Sequence, residues 1–354
     1  MKASSRSIRP LATALACTLL ASLLPALHAQ TTATTTPVGF ITVTIPAAAD
    51  ATHPSNAVVS VPLYKTADYA AAVATLDSPT QFTLSGSFTA SAFVTTPHFV
   101  RVKTSATAAH VGKFFLITAN TTSQLTVTLP SGVANINTVL SAADTCEVVP
   151  ANTLASVFGT SPPLLKPNAD PLVADNVLIW NGSSWDTYSH DGTAWQNANS
   201  FDPQDKTVIY PDEGVFVIHR FTASPGTNAP VTLTLMGTVP STAEKTDVAG
   251  GTAAHPGYTF ISNRFPVNST LGSLALQTLP GWISGSDPVA VDNALIWNGS
   301  SWDTYYYDNG VPAWQNANSF DPQDATPIPT GAAVFVIRKG GVKQSLAQAL
   351  PYVP

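Results

Sequence analysis

The residues best suited to touch a ligand come in pairs. Asp186 stands two positions before Tyr188 in one WDTY run, and Asp303 stands two before Tyr305 in a second. Trp195 with Asn197, and Trp314 with Asn316, open two identical runs of WQNANSFDPQD at 195–205 and 314–324. An aromatic ring covers the C–H face of a sugar while Asp and Asn take its hydroxyls. These eight residues are therefore the candidate contacts for a polysaccharide.

Other chemistries find less support. Asp202, Asp205, Asp321 and Asp324, with Asp191 and Asp308, could offer oxygen ligands to Ca²⁺, but the EF-hand pattern of alternating acids around a central Gly is missing. Turn-forming and strand-ending roles account for these aspartates, so neither a metal nor a cofactor is expected. There is no GxSxG elbow, no HExxH, no paired-cysteine metal spacing and no phosphate-cradling Gly loop. His53, His98, His110, His190, His219 and His255 form no i, i+4 pair. The expectation is a protein without catalytic residues. A hydrolase is the remote alternative, since two carboxylates can meet in space without leaving a sequence signal.

The elements that must position these residues are strands. GFITVTIP, NAVVSVPLY, KFFLITA, QLTVTLP, VTLTLMG, GVFVIHR and AAVFVIR are short β-branched or aromatic runs bounded by turn formers. Helical periodicity after residue 30 is confined to 67–76 and 343–350. The fold class expected is all-β, with tandem sandwich- or barrel-like domains after a cleavable N-terminal signal helix.

IWNGSSWDTY, at 179–188 and again at 296–305, reads as a hairpin around Asn-Gly. Whether the loop has two or four residues, alternation puts Leu178, Trp180, Trp185 and Thr187 on one face. Val177, Ile179, Asp186 and Tyr188 take the other. The Leu and Trp face is expected to form the core, leaving the Asp and Tyr face to meet water.

The hairpin belongs to an internal repeat. Residues 153–191 match 270–308 at an offset of 117, and 195–205 match 314–324 at 119. The segment before it is different, with no Trp and much Thr, Ala and Val. The expected organisation is a signal peptide over 1–29, an N-terminal β domain over 30–150, and repeat units over 151–240 and 241–354, with a linker at 241–255.

Lys2, Arg6 and Arg9 precede an apolar run over 11–24, and Leu27-His28-Ala29 offers small residues for signal cleavage. That run is too short for a span, and no second run approaches spanning length, so no membrane span is expected beyond residue 29. Residues 30–354 carry 12 Lys and Arg against 21 Asp and Glu, a net −9, which leaves nucleic-acid binding without an electrostatic basis. Cys146 is the single cysteine after the signal, and its place among alternating residues of DTCEVVP marks it as a core thiol.

PVGFITVTIP, HFVRVKTS…GKFFLITANTTSQLTVTLP, TLASVFG and ALIWNGSSWDTYYYDNG…AAVFVIRK together resemble an uncharacterised family of exported, signal-peptide-bearing verrucomicrobial proteins. The repeat units also look like β-sandwich modules of secreted bacterial surface proteins. Where those modules have a Gly-rich approach to the last strand, this chain has Asp212-Glu213-Gly214 and Gly331-Ala332-Ala333. The resemblance implies export and a β fold and supplies no catalytic residue. The expected function is a structural or adhesive role at the cell envelope or extracellular matrix, in the periplasm, on the surface or outside the cell. Its partners would be envelope or matrix components, and polysaccharide binding is the alternative.

Overall fold

The Val-, Ile-, Thr- and aromatic-rich runs form strands in the structure, a computed structural model that describes residues 37–222 and 228–353. The signal helix expected over 1–29 lies outside the described residues. The fold is all-β. Its main elements are two five-stranded antiparallel sheets and a closed six-stranded barrel. No helix among the described residues is long and apolar enough to cross a membrane.

The first sheet runs, edge to edge, through Trp195–Asn197, Trp185–His190, Asn176–Trp180, Gly214–His219 and Ser55–Ser60. The second runs through Ala313–Asn316, Trp302–Asp308, Asn293–Trp297, Ala333–Arg338 and Gly257–Ser262. In both, the tryptophans of the hairpin face each other, Trp180 with Trp185 and Trp297 with Trp302. The loop is therefore the four-residue NGSS. Asn181 N donates to Ser184 O at 3.0 Å, and Asn181 Oδ1 accepts from the backbone N–H groups of Ser183 and Ser184. Gly182 and Gly299 take φ near 97° and 102°, which is why Gly follows Asn in each turn.

Strand pairing crosses the domain boundary expected at residue 150. Ser55–Ser60 is the edge of the first sheet, and Val38–Ile45 pairs with Val231–Thr238. Ile41, Ile45, Ala57 and Val59 share one core with Val177, Val217 and Leu233. Only the stretch from Tyr69 to Pro150 is separate, because it closes the barrel of Tyr69–Ser78, Gln81–Leu84, Gln124–Val127, Phe114–Asn120, His98–Thr104 and Thr145–Pro150. In the second sheet the corresponding link runs directly from Ser262 to Ser269. The barrel is thus inserted after the first strands of the first sheet's unit.

Three local readings are also corrected. The stretch expected as a linker contains the strand Glu244–Val248, paired with Gln344–Gln348. The two stretches with helical periodicity lie in the strands Tyr69–Ser78 and Gln344–Gln348. Their Ala and Gln content favours helix, but a ladder partner on a neighbouring strand decides the outcome.

The alternation of the hairpins is as expected, but the Asp and Tyr face, expected to meet water, is covered as well. Val177, Ile179 and Tyr188 point into the first sheet's core, as Ala294 and Tyr305 do in the second. The tryptophan faces meet each other instead. Trp185 stacks on Phe335 at 6.0 Å and Trp302 on Phe216 at 6.0 Å. Trp180 Nε1 donates to Tyr258 O, and Trp297 Nε1 donates to Asn56 O. Ser60 binds the carbonyls of Gly331 and Ala332, while Ser262 binds those of Asp212 and Pro211. Such reciprocal contacts are those of an isologous interface, here within one chain. Each sheet is covered on both faces, so neither face of the hairpin is left for water.

The barrel is tied to both sheets by one buried carboxylate. Glu244, fully buried, accepts from Arg101 of the barrel, from Arg264 beyond the second sheet's edge strand, and from Tyr64 Oη at 2.6 Å. Arg264 also donates to Tyr64 Oη at 2.7 Å, and the Arg101 guanidinium lies 4.6 Å from the Tyr64 ring centroid. Removing the carboxylate leaves the buried Arg264 guanidinium without its ion-pair partner and Arg101 with Glu147 alone, at 3.5 Å. Glu244→Ala is expected to destabilise the protein by about 3–5 kcal/mol, and Tyr64→Phe by about 1 kcal/mol. Urea denaturation of the three proteins checks the order.

Candidate functional site

The structure does not gather the eight residues singled out by sequence into an open surface. Tyr188 and Tyr305 are buried, at 8% and 6% exposure, and Trp195 and Trp314 are wholly buried. Trp195 Nε1 donates to Gly159 O, and Trp314 Nε1 to Gln277 Oε1. Asn197 and Asn316 spend their side-chain oxygens on the backbone of the loops that follow, accepting from Asn199 and Asn318. Asp186 and Asp303 accept from Asn181 and Asn298 in the NGSS turns. Each of these contacts holds the fold. The aspartates weighed as Ca²⁺ ligands act likewise, with Asp205 Oδ1 accepting from Trp195 N at 2.9 Å. No group of three or more His, Cys, Asp or Glu among the described residues has a metal-binding arrangement.

A cleft of about 910 Å³ opens where the barrel meets the two sheets. The barrel supplies one wall, around Lys113–Leu116 and Thr128–Ser131. The first sheet's unit contributes Trp180, Asn181, Tyr210, Asp212 and Glu213. The second contributes Lys245, Asp247, Tyr258, Phe260 and Lys343. Gly250 and Gly251 let the chain pass close at the rim, where a Cβ on Gly250 would lie 2.3 Å from the Val342 carbonyl carbon. Trp180 of the first NGSS hairpin lines the cleft while its counterpart Trp297 does not. The inserted barrel covers only one side of the reciprocal interface, and that asymmetry makes the cleft.

The acidic end of the cleft is a pair of adjacent carboxyls. The Glu213 backbone bridges to Ile261, placing the residue at the contact between the sheets. Gly214 follows it because a Cβ there would meet the Ala333 side chain at 2.3 Å. Burial pushes Glu213 up to about 8, and the neighbouring Asp212 carboxylate adds to the rise. Burial likewise pushes Asp212 up to about 6, against the pull of Arg264. Tyr210 beside them is pushed up to about 12 by burial and by both carboxyls. Composition and motif searches pass over this pair. The signal for it is a difference between the repeats, since Asp212-Glu213-Gly214 matches Gly331-Ala332-Ala333.

The basic end is built on Asp247. Its carboxylate holds Lys343 Nζ at 2.9 Å and Lys113 Nζ at 3.5 Å. Lys245, one strand alternation away, has neither an ion pair nor a side-chain hydrogen bond among the described residues. Burial and the nearby Lys113 hold it below the usual ammonium range.

Histidines elsewhere serve the fold. His219 Nδ1 lies 2.7 Å from the buried Asp175, which also accepts from Arg220 N and Lys166 N. Ser141 and Asp144 both approach the same nitrogen of His110, at 3.5 and 3.2 Å, so the three cannot relay a proton as a nucleophile–base–acid series. Cys146 is a buried free thiol in the barrel core, pushed up to about 12 mainly by burial, and so is unreactive.

The carboxyl pair gives a pH signature. Folding raises both pKa values above their ordinary 4.5 and 3.8, so between those values and about 8 the folded chain holds protons that the unfolded chain has released. Their contribution to stability is whole below about pH 4, declines as pH rises, and levels off above about pH 8. Glu213→Gln is expected to flatten that decline in denaturation midpoints recorded across the range, and a decline of equal steepness in the variant would contradict it. No family model, curated protein or solved structure matches this chain.

Proposed function

We propose that this is an exported, non-catalytic β-protein of the cell envelope or extracellular matrix that adheres by binding polysaccharide in the cleft. One observation carries the reading. The cleft combines the rings of Trp180, Tyr210 and Tyr258 with two polar groups, the Glu213 carboxyl and the Lys245 amine, that have no side-chain partner among the described residues. Rings that stack on sugar faces beside unspent polar groups are what a carbohydrate site requires. The basic–apolar pattern of residues 2–29 supports export.

Retention on a panel of immobilised polysaccharides tests this. Tyr258→Ala is expected to weaken retention about tenfold on whichever polymer the wild type holds. The Tyr258 ring also packs against Trp180 at 6.1 Å and Phe335 at 6.0 Å, so a melting curve of the variant separates lost packing from lost binding. Tyr188→Ala and Tyr305→Ala should lower stability instead, since both rings lie in the cores. No retention on any polymer would remove the reading.

One observation favours a second reading. A carboxyl kept protonated near neutral pH, as Glu213 is, suits the general acid of a glycoside hydrolase. Release of reducing ends by the wild type, lost in Glu213→Gln, would put hydrolysis in place of simple binding.

A further inference from the structure

We propose that the cleft selects an acidic polysaccharide, and that Lys245 is the cation that meets its carboxylate or sulfate groups. The inference rests on the carbohydrate reading above and adds to it the charge of the ligand. Three ammonium groups, Lys113, Lys245 and Lys343, line the cleft. They gather in a chain with only 15 Lys and Arg against 21 Asp and Glu. Lys113 and Lys343 share the single carboxylate of Asp247. Lys113 also donates to Ser345 Oγ at 3.2 Å, and Lys343 to Ser131 O at 2.6 Å, so both are held in place.

Lys245 differs from them. Its charge is answered by no carboxylate among the described residues, and Lys113 repels it. Moving a charged amine part-way out of water beside another cation is unfavourable, and a bound anion would reverse that balance. The carboxyl pair near Tyr210 does not pair with it: burial raises Glu213 to about 8, and the Asp212 carboxylate interacts with Arg264. The aromatic end and the basic end open into the same cavity. A sugar ring lying on Tyr258 would thus have its acidic substituent within the lysine cluster.

Two matched pairs of polymers read out the charge. Polygalacturonate against its methyl ester isolates the carboxylate, and dextran sulfate against dextran isolates the sulfate. Affinity electrophoresis of the purified protein should show tighter binding to the charged member of at least one pair. Lys245→Gln should cut the preference for the charged member over the uncharged one about tenfold. The variant should melt at or above the wild type, because Lys245 makes no ion pair among the described residues and is repelled by Lys113. Tyr258→Ala should weaken both members.

If the charged and uncharged members bind alike, or Lys245→Gln matches the wild type, the acidic-ligand inference is overturned. The carbohydrate reading survives that result as long as Tyr258→Ala still weakens binding. If binding to dextran sulfate vanishes at about 0.2 M salt and ignores both substitutions, it is ion exchange elsewhere on the surface and the inference again fails. Absence of binding to all four polymers overturns it as well.

Discussion

The carboxylate of Glu244 is the contact on which the rest of the arrangement hangs. It is fully buried and accepts from two guanidinium groups and a tyrosine hydroxyl. Each donor comes from a different part of the chain. Arg101 lies on a barrel strand, Tyr64 follows the first sheet's edge strand, and Arg264 follows the second's. A charge taken out of water is tolerable only with its partners in place, so this site accepts one mutual placement of the three parts. Apolar packing alone would be less exacting, because rings and methyls slide at little cost while an uncompensated charge does not.

The second constraint is the reciprocal tryptophan interface, and the two act against each other in symmetry. Ser60 and Ser262, Trp180 and Trp297, and Phe216 and Phe335 all make matching contacts across the sheets. Left to that interface the molecule would have two equivalent sides. The barrel stands on one side only, held there by Arg101 and Glu244. Trp180 consequently faces a cleft and Trp297 does not.

What was legible in the sequence was local. Period-two alternation and the Asn-Gly turns identify the all-β fold and which hairpin residues share a face, because both depend on neighbouring residues alone; they leave the register open between a two- and a four-residue loop. Alternation also separates Tyr188 from Trp185 correctly, but it says only that the two faces differ. Which face meets a second sheet depends on a partner far along the chain, and for that reason the tyrosine face, expected to meet water, is buried instead. The same limit hid the strand Ser55–Ser60, whose composition fits an N-terminal domain as well as it fits the edge beside Gly214–His219. The eight candidate contacts failed for this reason. They are repeated because the repeated architecture needs them.

That failure points to a rule with a physical basis. Residues identical in both copies, such as Trp195 and Trp314 or Asn197 and Asn316, satisfy demands that both sheets make, and those are demands of folding. The cleft exists on one side, and its acidic groups stand where the copies depart from each other. Asp212 and Glu213 lie opposite Gly331 and Ala332 in the alignment of the repeats, and the adjoining Gly214 lies opposite Ala333. Replacing small neutral residues by two carboxyls at a contact between sheets costs desolvation, which is visible as the raised pKa of both. A fold needs no such expense at that position, since the other copy does without it. On the proposed binding role, the Glu213 carboxyl serves what enters the cleft, while Asp212 also faces the pull of Arg264.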